Sequence, residues 1–181
     1  MKNWSYKITE GEHAGETLWS GRYCCVAGFI FSYTNDNNVK ILAVKRGQDC
    51  PDFRGMWCCP CGFLEADETG EEGIVRETWE ETGYDFPVEK FKLFTVETDP
   101  KLCNKSHVTL MYSTIFGQDE IKEYFDIDWL PFNKESEEIE WISIDEINKY
   151  EWAFVHDRII KEMLKQLDYD EEELNDYDLF Y

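Results

Sequence analysis

The sequence predicts an α/β protein, a mixed β-sheet with helices packed on it. Segments rich in β-branched and aromatic residues outnumber segments with helical spacing. The helical segments fall between the strands rather than after all of them. The 181 residues are 43% hydrophobic and 16% aromatic, enough for a buried core without staples. At roughly 150 residues per domain, this is one domain with trimmings.

Residues 1–21 read as a polar leader, with Gly11 and Gly15 suited to a hairpin turn. Residues 22–33 alternate and then saturate with apolar side chains, as a buried strand does. Asn35-Asp36-Asn37-Asn38 is a turn signal, and residues 39–45 form the returning strand. Residues 46–55, with Gly47, Pro51 and Gly55, are a loop; 56–61 are a short strand, and Gly62-Phe63-Leu64 runs on into a loop. Thr69 followed by Glu72 is a capping box that starts a helix at Gly70, and Gly83 ends it. Residues 91–98, 108–116 and 139–144 are strands, and 145–150 a short helix. Val155, Ile159, Ile160, Met163, Leu164 and Leu167 have the spacing of an amphipathic helix over 154–167. The folded domain therefore spans 22–167, followed by an acidic, aromatic tail at 168–181.

Eighteen Lys and Arg against 39 Asp and Glu leave a net charge of −21. Such a chain repels phosphate backbones and anionic lipid, which argues against nucleic-acid and membrane-surface partners. The apolar runs are too short to span a bilayer, and the N-terminus lacks a signal-peptide core, so the expected location is cytoplasmic. Seven cysteines, two pairs of them adjacent, fit reduced thiols in a reducing compartment. The Cys58-x-x-Cys61 spacing also suits zinc or thiol redox chemistry. A zinc site would want a second pair or histidines, and a redox motif a helix starting at once. Buried structural thiols are the better reading. His13, His107 and His156 show no ligand spacing and read as structural.

The helix at 70–82 carries the chemistry. At about 100° per residue, Ile74, Val75, Thr78, Trp79 and Thr82 fall on one side, and Arg76, Glu77, Glu80 and Glu81 on the other. Like charges at i, i+4 destabilise an isolated helix, and Arg76 offsets only part of this. Carboxylates gathered on one turn are explained by a hard divalent cation such as Mg²⁺, which takes carboxylate oxygens and shares substrate phosphates. A solvated acidic face is the plain alternative.

The loop before the helix decides between them. Gly62, Glu68, Arg76, Glu77, Thr78, Glu80, Glu81, Gly83 and Tyr84 fill the spacing G-x5-E-x7-R-E-U-x-E-E-x-G-U. This resembles the signature box of the Nudix hydrolases, with Thr78 smaller and more polar than the usual aliphatic. Trp57-Cys58-Cys59-Pro60-Cys61-Gly62 is similar to the strand that enters the box, Cys61 replacing a common glycine. The likeness runs over about residues 22–165. It implies a Nudix-like α/β/α sandwich with a mixed β-sheet and a loop–helix–loop catalytic motif.

The resemblance also implies Mg²⁺-dependent hydrolysis, with Mn²⁺ able to substitute, of a nucleoside diphosphate linked to another moiety. The metal ligands would be Glu77, Glu80, Glu81 and the Gly62 carbonyl, with one glutamate as base. Arg76 would orient a glutamate, and Glu68 would position Arg76 or a metal-bound water. Glu137, Glu138 and Glu140 are candidates for a further ligand outside the box, Glu138 foremost. Lys45, Arg46 and Arg54 are candidate phosphate-binding cations. The partner would be a small-molecule nucleotide, and a homodimer is compatible with the sequence. Pro100, one residue from the place of a proline that marks ADP-ribose hydrolases, favours an ADP-ribose-like substrate over nucleoside triphosphates or dinucleoside polyphosphates. A nucleotide-sensing module that does not cleave is the alternative, but it should have lost box carboxylates, and none is lost.

Overall fold

The computed structural model describes residues 4–34, 38–101, 107–130 and 135–171. The turn expected at Asn35–Asn38 lies mostly outside them, as do Cys103 and residues 172–181. The leader forms a hairpin of β1 (Trp4–Lys7) and β2 (Thr17–Ser20), a two-stranded sheet of its own. The main sheet has seven strands: β3 (Tyr23–Tyr33), β4 (Val39–Arg46), β5 (Trp57–Cys58), β6 (Cys61–Phe63), β7 (Lys92–Glu97), β8 (His107–Gly117) and β9 (Ser136–Ser143). Its central strand β3 runs parallel to β8 over its whole length and antiparallel to β4 and β6, so the sheet is mixed.

Helices cover both faces. α1 (Gly70–Thr82) seats Ile74 on one face with Val26, Ile30, Leu42, Phe86 and Tyr112. α3 (His156–Glu171) seats Ile159, Ile160 and Met163 on the other, with Ala27, Phe29, Ile41, Met111 and Ile142. Alternation along β3 and β4 sends successive side chains to opposite cores, which gives the α/β/α sandwich. The short α2 (Gln118–Ile121) and a 3₁₀ turn at Val88–Lys90 had no periodic signal in the sequence. The short helix expected at 145–150 is a 3₁₀ helix over Ile144–Lys149, and α3 continues past residue 167 to Glu171.

One expected strand is two. β3 and β4 pair only from Phe31–Ile41 to Tyr33–Val39; farther along, β4 takes β5 while β3 takes β6. The segment expected as a single strand over 56–61 therefore changes partner at Cys59-Pro60. Pro60 has no N–H to give a ladder, but its carbonyl accepts from Gly28 N at 2.9 Å. Gly62 and Phe63, expected in a loop, belong to β6.

His156 locks this crossing to α3. Its ring is 2% exposed, edge-on to Phe29, and its Nδ1 accepts from Cys59 N at 3.0 Å. Burial holds the imidazole near a pKa of about 3. Between about pH 6.5 and 3 the unfolded chain therefore binds the proton that the native state refuses, and stability falls as the pH drops. From pH 7 to 5 this loss is about 2 kcal/mol, at 1.36 kcal/mol per pK unit below 6.5. Acidification also relieves charge repulsion in so acidic a protein, so the comparison is made with His156→Asn, whose amide oxygen can accept from Cys59 N. Urea denaturation at pH 7 and pH 5 should show the extra loss in wild type and not in the variant; equal pH dependence would refute it.

Candidate active site

The box begins with the entry to α1. Thr69 Oγ1 accepts from Glu72 N at 3.2 Å and Glu72 Oε2 accepts from Thr69 N at 2.7 Å, the reciprocal capping box expected. Gly83 ends the helix in the left-handed region at φ 77. Thr78, unusual for its place in the box, is fully buried, but its hydroxyl donates to the Ile74 carbonyl at 2.6 Å, as Thr82 does to Thr78. Back-bonding within the helix satisfies both hydroxyls where an aliphatic would otherwise sit.

Arg76 organises the carboxylates. Its Nε and Nη2 donate to the two oxygens of Glu68 at 2.9 and 2.7 Å, a bidentate pair. Its Nη1 donates to Glu77 Oε1 at 2.9 Å and Glu80 Oε2 at 3.2 Å, and Nη2 also donates to the Phe63 carbonyl at 2.9 Å. One guanidinium thus ties the loop, β6 and two turns of helix together. The hydrogen bonds from Arg76 hold Glu68 below the usual carboxylate range.

Glu77 and Glu81 are not on an open polar face. The backbone amide of Cys61 donates to Glu81 Oε2 at 3.1 Å, and burial, then Cys58 and Glu77 nearby, push the Glu81 carboxyl well up. Burial raises Glu77 too, against the pull of Arg76. Gly62 makes room for this: a Cβ there would stand 2.1 Å from Glu77 Oε1. The glycine is required by a close approach of side chain to backbone.

The register of β6 corrects the expected backbone ligand. Gly28 N bonds the Pro60 carbonyl and Leu64 N bonds the Cys24 carbonyl, with Gly62 opposite Val26 between them. In an antiparallel ladder the polar groups of alternate residues face the partner strand. Gly62 therefore turns its carbonyl toward β3, while Cys61 and Phe63 turn theirs outward. Arg76 takes the Phe63 oxygen, and the Cys61 oxygen receives no donor among the described residues. The Cys61 carbonyl, not that of Gly62, stands open beside the box glutamates. Ladder alternation could have revealed this from the sequence had β6 been recognised as a strand.

Other expected residues are dispersed. β9 pairs with β4 so that Glu138 faces Lys45 (2.5 Å), on the same side as Ile142 and the α3 core. Glu138 and Glu140 thus lie across the sheet from α1, and Glu138 does not join the box carboxylates. Glu137 is the unpaired residue at an irregularity between Ser136 and Glu138, opposite Lys45 and Arg46. Lys45 and Arg46, neighbours on one strand, point apart. Arg46 is 8% exposed, held by Asp52 Oδ1 at 2.7 Å and the Asp52 carbonyl at 3.1 Å, under the Phe154 ring at 4.7 Å. Arg46 is close enough to lower the proton affinity of Glu81. Arg54 is exposed and donates to the Cys50 carbonyl at 2.6 Å. Asp52 and Phe154, which hold Arg46, carried no signal because their contact is made only by folding.

The thiols of Cys50, Cys58, Cys59 and Cys61 are all free, and those of Cys58 and Cys61 lie close enough to shift each other's titration. Among the described residues no three acid, thiol or imidazole groups converge as they stand on one metal position. Hard oxygen donors on Glu77, Glu80 and Glu81 with one open carbonyl nevertheless suit a hard divalent cation rather than zinc. Arg76 now occupies the centre that Glu77 and Glu80 would share with such an ion.

The NUDIX domain family matches residues 26–163, and the chain belongs to this family of hydrolases: it is a Nudix pyrophosphohydrolase by class. An ADP-ribose pyrophosphatase of Methanocaldococcus jannaschii is 34% identical over 131 residues, covering 72% of this chain and 69% of that one. A dihydroneopterin triphosphate diphosphatase of Haemophilus influenzae is 38% identical over 77 residues, 42% of this chain and 41% of that one. Among solved structures, the NUDIX domain of Shewanella oneidensis NrtR complexed with ADP ribose superposes with a TM-score of 0.66 at 20% identity, covering 82% and 90% of the two chains. That likeness establishes the fold. Members of the family generally need a divalent metal, and among the described residues no helix is long and apolar enough to cross a membrane.

Gly62→Ala should test the close approach. The added methyl displaces the Glu77 carboxylate from Arg76 while leaving the strand intact. Circular dichroism should be unchanged, and kcat/KM should fall roughly a hundredfold, the cost of about 1 Å of misplacement at a reacting centre. Wild-type activity would show that Glu77 need not lie over Gly62.

Proposed function

We propose that this enzyme cleaves the diphosphate of a nucleoside diphosphate joined to a second moiety, with ADP-ribose-like sugars the favoured class and Mg²⁺ the favoured ion. The observation that carries this reading is the Arg76-centred array, in which three box glutamates and the Cys61 carbonyl line one edge of β6. The relative named ADP-ribose pyrophosphatase supports the substrate class.

Glu77, Glu80, Glu81 and the Cys61 carbonyl would hold the ion. When bound, Mg²⁺ supplies charge neutralisation of the diphosphate and acidifies water. Arg76 fixes Glu77 and Glu80, and through Glu68 it keeps the loop closed on the helix. Water oxygen attacks one phosphorus, the bridging P–O bond breaks, and a carboxylate takes the water proton. The products are a nucleoside monophosphate and the phosphorylated second moiety. Glu81, half-buried and with its proton affinity raised by desolvation, is the strongest candidate to accept that proton.

A panel of ADP-ribose, sugar nucleotides, nucleoside triphosphates and dinucleoside polyphosphates, each with Mg²⁺ and read by phosphatase-coupled phosphate release, tests the reading. ADP-ribose-like compounds should turn over fastest. Preference for triphosphates would replace the substrate class, and binding without turnover of any compound would favour a sensing module.

Glu81→Gln should lower kcat by orders of magnitude with the fold intact, because an amide is a poor Mg²⁺ ligand and no base. The same variant should lose much of the Mg²⁺-induced rise in Tm seen in wild type at ionic strength matched with NaCl. A site filled to a hundred times its Kd contributes about 2.7 kcal/mol. Equal Tm shifts in both proteins, or unchanged turnover, would remove Glu81 from the site.

A further inference from the structure

Tyr23 and Phe63 are large aromatics left 65% and 53% exposed beside the candidate site. With His107 they form one cluster: Tyr23–Phe63 ring centroids lie 5.8 Å apart, Phe63–His107 5.1 Å and Tyr23–His107 6.3 Å, all edge-to-face. Strand register assembles it. Tyr23 stands directly opposite His107 across the parallel β3–β8 pair, and Phe63 stands opposite Cys25, two residues along the same face. The rings are therefore presented by three different strands of the sheet rather than by a loop, on the face that α3 covers farther along. At this exposure Tyr23 and Phe63 present aromatic area to a further flat group.

The cluster is tied to the box through the backbone. Phe63 follows Gly62, with their Cα atoms about 3.8 Å apart as across any trans peptide. Gly62 is the residue on which the Glu77 carboxylate rests, and the Phe63 carbonyl is held by Arg76 at 2.9 Å. Alternation on β6 sends the open position of Gly62 toward α1 and the Phe63 ring to the other face. Glutamates and rings thus meet at one strand edge. In a protein of net charge −21 the electrostatics oppose an anionic substrate, so uncharged stacking is the affinity source this surface offers.

We propose that Tyr23, Phe63 and His107 form a stacking platform for the aromatic base of the substrate, selecting diphosphates that carry a base over those that do not. This rests on the diphosphate-hydrolase reading above and specifies which half of the substrate is recognised. The ribose spans from the glutamates at the β6 edge to the platform, and the second moiety lies away from it.

The test compares wild type with Phe63→Ala, Phe63→Leu, Phe63→Trp and Tyr23→Ala on ADP-ribose and on the same diphosphate lacking adenine. Base stacking on a protein ring contributes on the order of a tenfold to hundredfold effect on alanine substitution. The preference of wild type for the base-bearing compound should collapse by about that factor in Phe63→Ala, Phe63→Leu and Tyr23→Ala, through KM. Phe63→Trp should retain it. Equal losses on both compounds would mean that the rings only shape the box loop. An unchanged preference would refute the platform, and a variant that alters only the oligomeric state in sedimentation would make this face a contact between copies. Titration calorimetry with AMP gives a readout independent of turnover. If wild type cleaves neither compound, the ADP-ribose-like substrate class fails, while weaker AMP binding by Phe63→Ala would still uphold the platform and equal binding would overturn it.

Discussion

The Arg76 guanidinium is the constraint on which the site depends. It carries the one positive charge that bridges Glu68 in the loop, Glu77 and Glu80 on the helix, and the Phe63 carbonyl on the strand. Each carboxylate alone would be drawn toward water, and together they would repel across successive turns of α1. The planar fork can satisfy a bidentate carboxylate while its remaining N–H groups reach other acceptors, which a lysine ammonium cannot do. The loop–helix–loop is therefore held as a unit by charge-assisted hydrogen bonds, with little apolar burial in the loop itself.

That unit needs a sheet edge to face, and the sheet supplies it by splitting. β3 and β4 part after a short pairing, and the chain crosses between them at Cys59-Pro60. β6 then keeps an outward row of backbone groups: the Cys61 amide to Glu81, the Phe63 carbonyl to Arg76, and the Cys61 carbonyl left open. His156, Phe154 and Asp52 brace the crossing from the far side. Phe154 and Val155 both sit at positive φ, 55 and 57, a costly conformation for a β-branched residue. The Phe154 ring pays that strain back in contacts, lying over Arg46 and edge-on to Phe53 at 4.9 Å.

Burial of acid groups follows from this geometry. Glu81 is enclosed by β6 and the Cys58–Cys61 thiols, and Glu77 by Gly62, so both resist ionisation without a counter-charge. Such carboxylates, pushed up by desolvation and by each other, mark functional sites more often than structural ones. Cys58 and Cys61 are free thiols and form no disulfide.

Much was written in the local sequence. The capping box at Thr69 and Glu72, the left-handed Gly83, the apolar stripe of α1 and most strands follow from short-range rules of spacing, steric freedom and hydrogen-bond satisfaction. The box itself, from Gly62 to Tyr84, was legible residue by residue because its chemistry is carried within one turn–helix segment. What tertiary structure alone decided depends on pairing between distant segments. A one-residue change in register turns every side chain and carbonyl to the other side. Register sends Glu138 across the sheet from α1, separates Lys45 from Arg46, and turns the Cys61 carbonyl outward in place of that of Gly62. It also gathers Tyr23, Phe63 and His107, which local spacing leaves unrelated, because only the β3–β6 and β3–β8 hydrogen-bond ladders bring them to one face.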